Sequence, residues 1–245
     1  MAEFQLSREQ DTPQFLREMA MYFIQFSPEP SNAYCQLVRM LRPRNNSIAF
    51  ATLNYDVLLE HAISIEGHTL CYNCPASPGS SNFEIIKPHG SCNFLPNLPS
   101  KVTGLTFLGA PNATGAHIYG PIRPATTTDE VRNFCKSNDV LAPAMALYTQ
   151  GKRLLTSGPF MELQLRRFED AVKRAHRLIL VGVAVNADDR HIWFPIQESK
   201  AKIYFVDPNA AMFSDWAKST GRRHVYQLGN DFLEALPRIQ GLLRA

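Results

Sequence analysis

Leu178-Ile179-Leu180-Val181-Gly182-Val183 is an apolar run broken only by a glycine, and Asp188 and Asp189 follow it at the predicted start of a helix. A short run without polar alternation is the pattern of a parallel strand covered on both faces. The surrounding segments continue the theme. A helical pattern near Met161 to Ala175 precedes the run. After it come a strand at Lys202-Ile203-Tyr204-Phe205-Val206, a helix near Ala210 to Lys218, a strand at His224-Val225-Tyr226-Gln227-Leu228 and a closing helix. Strands alternating with helices to the end of the chain predict an α/β fold with a doubly wound parallel sheet.

Upstream the same reading holds with more irregularity. Phe15, Met19, Tyr22, Phe23 and Phe26 fall near a 3.6-residue period, as do Leu37, Met40 and Leu41, and Pro28 and Pro30 separate these two helices. Ser47-Ile48-Ala49-Phe50-Ala51 predicts another strand covered on both faces, and Asp56 can cap the helix that carries Val57, Leu58, Leu59, Ala62 and Ile63. A polar stretch leads to a further strand at Phe83-Glu84-Ile85-Ile86-Lys87. From about 95 to 160 the pattern breaks into loops rich in Pro, Gly, Thr and Asn, with periodicity only around Leu141 to Leu155, which predicts an irregular insertion. No internal repeat is evident, and residues 1–245 read as one domain.

Composition narrows the class. With 245 residues and 45% hydrophobic content the chain can bury a sizeable core. A formal charge of +3, from 25 basic and 22 acidic residues, is too small and scattered for a general phosphate-binding surface, so nucleic acid is not implied. No stretch approaches the roughly 20 apolar residues that span a bilayer, and Met1-Ala2-Glu3-Phe4 does not open a signal peptide, so no membrane partner and a cytoplasmic location are expected. Cys35, Cys71, Cys74, Cys92 and Cys135 are an odd set, which argues for reduced thiols rather than a disulfide framework.

Chemistry-bearing residues gather at predicted strand ends, where ligands bind in open α/β sheets. Thr52-Leu53-Asn54-Tyr55-Asp56 follows the first strand, although Asn54 and Asp56 read equally well as turn and cap residues. Lys87-Pro88-His89-Gly90-Ser91 ends the second, where His89 is a plausible general base and Gly90 permits close backbone approach. Gly182 and Asp189 fit a tight turn plus an N-cap as well as a ligand contact. Asp207 and Asn209 place a carboxylate and an amide where such groups commonly meet a ribose hydroxyl.

In this order the four segments resemble the SIR2-like family, the sirtuins and their prokaryotic NAD-consuming relatives. The resemblance runs from about Ser47 to Asn209 and rests chiefly on Thr52, Asn54 and Asp56 followed by His89-Gly90. Tyr55, Leu58, Leu59 and Glu60, then Lys87 and Ser91, are nearer the prokaryotic branch than the protein deacetylases. The resemblance implies a Rossmann-like fold with NAD as substrate. It implies that Asn54 positions the nicotinamide ribose and the attacking water, that His89 is the general base, and that Asp56, beside Thr52, helps hold the carboxamide. It further implies that Gly182 and Asp189 lie by the ribose or phosphates, and Asp207 or Asn209 near the adenosine end.

Two departures shape what to expect. The family opens with a strand and a Gly-rich loop that receives phosphates, yet the first glycine here is Gly67 and no Gly-x-Gly pair exists. The chain is then either a shortened piece of a longer protein or one that has lost this cradle. Zinc-bearing sirtuins place two Cys-x-x-Cys pairs after the histidine-glycine motif, whereas only Cys92 and Cys135 lie there and Cys71-x-x-Cys74 precedes it, so no metal is expected. The leading expectation is hydrolysis of the nicotinamide–ribose bond of NAD in bacterial antiviral defence, rather than deacetylation. The alternative is an inactive nucleotide-sensing or assembly module, with a homo-oligomer or partner protein left open in either case. A Ser91–His89 hydrolase is disfavoured because no nucleophile elbow surrounds Ser91.

Overall fold

Burial of apolar faces sets the order of elements. The computed structural model describes residues 12–41, 48–73, 82–97, 118–137, 141–146 and 156–244. It begins with two amphipathic helices, α1 (Thr12–Phe23), which buries Leu16 and Ala20, and α2 (Ala33–Leu41), which buries Cys35, Val38 and Leu41. Next come β1 (Ala49–Ala51), α3 (Leu58–Ile65), β2 (Thr69–Cys71) and β3 (Asn82–Ile86). These three strands form a parallel sheet with β3 in the middle. Phe83, Ile85 and Ile86 are fully buried there, and the one acidic residue of the strand, Glu84, is paired with Arg167.

The register places the site. Phe50 lies opposite Ile85 and Ala51 opposite Ile86, and Thr52 N–H donates to the Ile86 carbonyl at 2.9 Å. The two strand-end segments therefore leave the sheet side by side at one level.

The middle of the chain is more ordered than loop-rich composition predicts. β4 (Phe94–Pro96), β5 (Ile118–Tyr119), β6 (Ile122–Pro124), α4 (Thr128–Ser137) and β7 (Thr156–Ser157) lie within the expected insertion. β4 pairs antiparallel with β6, and β5 pairs parallel with β7. The start of α4 carries a legible signal: Thr127 Oγ1 accepts from Glu130 N–H at 3.2 Å, within a Thr-x-x-Glu capping sequence. Of the periodic stretch Leu141 to Leu155, residues 141–146 form no helix and bridge Gly90 through Met145, and the rest up to 155 lies outside the described residues.

The last third matches the expected alternation closely: α5 (Pro159–Arg174), β8 (Arg177–Val181), α6 (Arg190–Glu198), β9 (Lys202–Val206), α7 (Ala210–Thr220), β10 (Val225–Gly229) and α8 (Phe232–Arg244). These strands form a second three-stranded parallel sheet in the order β10-β9-β8. A shared core links them, with Ile86 and Leu53 from the first sheet packed among Phe168, Ile192, Ile203, Phe205 and Phe213. β1 is a sheet-edge strand with Ala49 and Ala51 exposed, not a strand covered on both faces. An apolar run of small residues carries no information about which edge it occupies.

Three further findings bear on composition. No described helix is long and apolar enough to cross a membrane. Cys35, Cys92 and Cys135 are free and buried, but Cys71 is disulfide-bonded, which corrects the expectation of reduced thiols throughout. An odd count excludes a complete disulfide framework and still leaves room for one bridge. The basic charge is also less scattered than its total suggests. Lys173, Arg174, His176, Arg177, Lys200 and Lys202 line a groove of about 480 Å³ at the ends where β8 and β9 begin.

Candidate functional site

The chain turns sharply where β3 ends. Gly90 N–H donates to the Lys87 carbonyl at 3.0 Å, closing a four-residue turn with Pro88 second and Gly90 fourth, the sequence preference of a type I turn. Gly90 has φ +84°, and a Cβ there would stand 1.9 Å from the Ala144 carbonyl oxygen. The close approach that this glycine allows is therefore by the chain's own 142–146 segment. That segment receives Ser91 N–H on the Ala144 carbonyl at 2.9 Å and donates Ala146 N–H to the His89 carbonyl at 2.8 Å. His89 is thus held by backbone bonds on both sides.

The two strand-end segments are bonded to each other. Cys92 N–H and the Ser91 hydroxyl donate to the Tyr55 carbonyl at 2.9 and 3.3 Å, and the Tyr55 hydroxyl donates to the Ala146 carbonyl. Lys87 Nζ donates to the Asp56 carbonyl. The motifs read separately in sequence form one bonded unit.

A third segment joins them. Asp189 stands at the N-cap position of α6, yet its side chain makes no cap hydrogen bond. Its carboxylate instead faces His89 Nε2, at 3.3 Å from Oδ1 and 3.2 Å from Oδ2, and is itself only 2% exposed. His191, two residues along, brings Nδ1 to 3.2 Å from Asp189 Oδ1, and its ring meets that of His89 edge-on at 5.2 Å. A carboxylate against an imidazole orients the ring and favours its protonated form, which is what a general base needs after it has taken a proton.

No family model matches this sequence, and no curated protein matches it. Among solved structures, a histidine-to-asparagine mutant of a Sir2 homologue in complex with ADP-ribose superposes with a TM-score of 0.52 at 16% identity, covering 96% of this chain and 77% of that one. A serine-to-alanine mutant of a Sir2 homologue, also with ADP-ribose, gives a TM-score of 0.51 at 17% identity with the same coverage. The fold is SIR2-like.

Within this SIR2-like fold the other candidate residues divide by how their polar atoms are used. Asn54 is exposed at the end of β1 with its N–H bonded to Thr52 Oγ1 at 3.1 Å. Burial first, then the nearby Asp56 carboxylate, raises the pKa of the Tyr34 hydroxyl on α2, which stays neutral. Asp56 Oδ1 accepts from Leu58 N–H at 3.0 Å, the capping bond predicted from sequence. Gly182 has φ +61° and a Cβ added there would meet nothing, so the end of β8 is open backbone. Asp207 accepts from Asn209 N–H at 2.8 Å, and Asn209 caps α7 through Met212 N–H at 3.3 Å, giving both residues turn-forming work.

Several supporting residues were not singled out from sequence. Gln164 on the buried face of α5 accepts from Lys87 N–H at 2.7 Å and donates to the Tyr72 carbonyl at 2.7 Å. Its signal was available, since Gln164 is a polar residue in line with the apolar Met161, Phe168 and Val172. Tyr72 donates to Glu60 Oε1 at 2.9 Å, as does Lys87 Nζ. His191 carries no motif and is identified only by its place in the first turn of α6.

Cys92, next to Ser91, is no nucleophile. Burial pushes its thiol up to about 12 against the pull of Lys87, and burial takes Cys135 to about 11. Only thiolate attacks an alkylating agent, so at pH 8 both should label far more slowly in the native chain than after unfolding in urea. Mass spectrometry after iodoacetamide checks this, and rapid native labelling of Cys92 would contradict the packing.

Proposed function

We propose that the chain hydrolyses the nicotinamide–ribose bond of NAD. The observation that carries this is a buried His89 faced by the Asp189 carboxylate and bonded through its own loop to the Asn54 segment, in a SIR2-like fold. The ADP-ribose in both similar Sir2 homologues adds support for a nucleotide ligand. In the reaction the bond from the anomeric carbon to the pyridinium nitrogen breaks, and nicotinamide leaves with the bonding electron pair. Water oxygen bonds to the anomeric carbon and gives up a proton, leaving ADP-ribose. Asn54 orients the ribose and the water, and His89 takes the proton with Asp189 stabilising the imidazolium. Asp56 Oδ2, Thr52 and the open backbone at Gly182 serve the carboxamide and ribose, with Asp207 and Asn209 toward the adenosine. We place the protein in the cytoplasm, in bacterial antiviral defence as a member of the prokaryotic branch, acting as a homo-oligomer or with a partner protein.

Incubation with NAD and chromatography of nicotinamide and ADP-ribose tests the reading. Release above a His89→Ala control is expected. No release above that control, in monomeric and oligomeric preparations alike, sinks the catalytic reading. The absence of any Gly-x-Gly pair from the sequence favours a second reading, a nucleotide-sensing module without turnover. Saturable binding of NAD without release would select that one.

A further inference from the structure

We propose that His89, Asp189 and His191 form a binding site for a divalent transition-metal ion of the zinc class, with three protein ligands and one open position. The three side chains each offer a ligand atom, and these atoms all lie within 4.8 Å of one another.

The spacing suits a metal site as well as a hydrogen-bonded triad. Charge-assisted N–H···O bonds run at about 2.7–2.9 Å. Donor atoms about 2.0–2.1 Å from a tetrahedral ion stand roughly 3.3 Å from each other by simple geometry. Here His89 Nε2 is 3.2 Å from Asp189 Oδ2 and 3.3 Å from Oδ1, while His191 Nδ1 is 3.2 Å from Oδ1. The two carboxylate–imidazole separations match those of ligands around an ion, and all three donor atoms lie within 4.8 Å of one another.

Composition and placement agree with the spacing. Two imidazoles and one carboxylate make a set that leaves a fourth tetrahedral position for water or substrate, and imidazole selects zinc, cobalt or nickel over magnesium or calcium. Asp189 and His191 share the first turn of α6, and Asp189 holds its carboxylate away from the capping bond its position would favour. Asp189 is 2% exposed, so the site is shielded from bulk water on the carboxylate side. The His191 side chain is 38% exposed and gives the ion a way in. This set differs in kind from two Cys-x-x-Cys pairs, of which the sequence has only Cys71 and Cys74.

An ion bound here would hold the Nε2 lone pair of His89, so metal binding and the proton transfer from water exclude each other. That consequence rests on the proposed hydrolysis, whereas the site itself does not.

The test uses Co²⁺ alone as probe on the full chain, first stripped of metal with a chelator. Titration is followed by visible absorption, with no NAD present, so failure of the hydrolase reading leaves this readout intact. The expected result is saturation at one equivalent with tetrahedral Co²⁺ bands that Zn²⁺ displaces. His191→Ala and His89→Ala each weaken binding at least tenfold, and His176→Ala leaves it unchanged. His191 is exposed, so its variant should fold even where His89→Ala does not. Absence of one-equivalent saturation, or unchanged affinity in folded His191→Ala, overturns the proposal.

Discussion

Lys87→Met is expected to lower stability by about 3–5 kcal/mol, the cost of stranding one member of a buried ion pair. Lys87 is fully buried, and its ammonium donates to Glu60 Oε1 at 2.9 Å and to the Asp56 carbonyl. Glu60 is 5% exposed, and its Oε2 has no hydrogen-bond partner among the described residues. Tyr72 donates to the same Oε1, and Asn93 Nδ2 donates to the Tyr72 hydroxyl at 3.0 Å. Burial, then the Glu60 charge, drives the Tyr72 pKa well above its ordinary value, so the phenol keeps its proton. Without the ammonium, one phenol remains to stabilise a buried carboxylate, and the Asp56 loop loses its tether to β3. Urea unfolding reads the loss. Lys87→Met combined with Glu60→Leu should be more stable than Lys87→Met alone, because no charge is then left behind. A single-variant loss under about 1 kcal/mol would show that the pair is not buried as described.

Asp189→Asn should do the opposite, leaving stability nearly unchanged while NAD hydrolysis falls by about 10²–10⁴. Asparagine suits a helix start as well as aspartate does, and the aspartate makes no cap bond that could be lost. What disappears is the negative charge against His89 Nε2, so the imidazolium formed on proton transfer is no longer stabilised and the ring loses its orienting partner. The fall should appear in kcat with the thermal midpoint held. An unchanged kcat in a folded variant would remove Asp189 from the reaction.

These two predictions also show where sequence reading reached and where it stopped. The strands Lys202–Val206 and Leu178–Val181 were legible because each is apolar, short and flanked by helical periodicity. The strand-end placement of Asn54 and His89 was legible because each follows a short apolar run. β2 was not, since Thr69-Leu70-Cys71 is too short to show alternation and its support comes from β3 across the sheet. The edge position of β1 depends on pairing with distant residues in the same way. Asp189 was legible by position, but its two readings were separable only by seeing that the carboxylate leaves the cap and meets His89, a hundred residues away in the chain. Gly90 was read correctly as a site of close approach, while the approaching group, Ala144, came from a stretch whose composition predicted only loop. His191 and Gln164 act through tertiary placement, which leaves at most a weak trace in one sequence.

The proposed hydrolysis requires the segments ending β1 and β3 to form one nucleotide site. Calorimetric titration with ADP-ribose, comparing the wild-type chain with Asn54→Ala, tests it most directly. The account predicts saturable one-to-one binding that the substitution weakens by about tenfold or more, the loss of a well-placed hydrogen bond. Absence of saturable binding, or equal affinity in the two proteins, would contradict it.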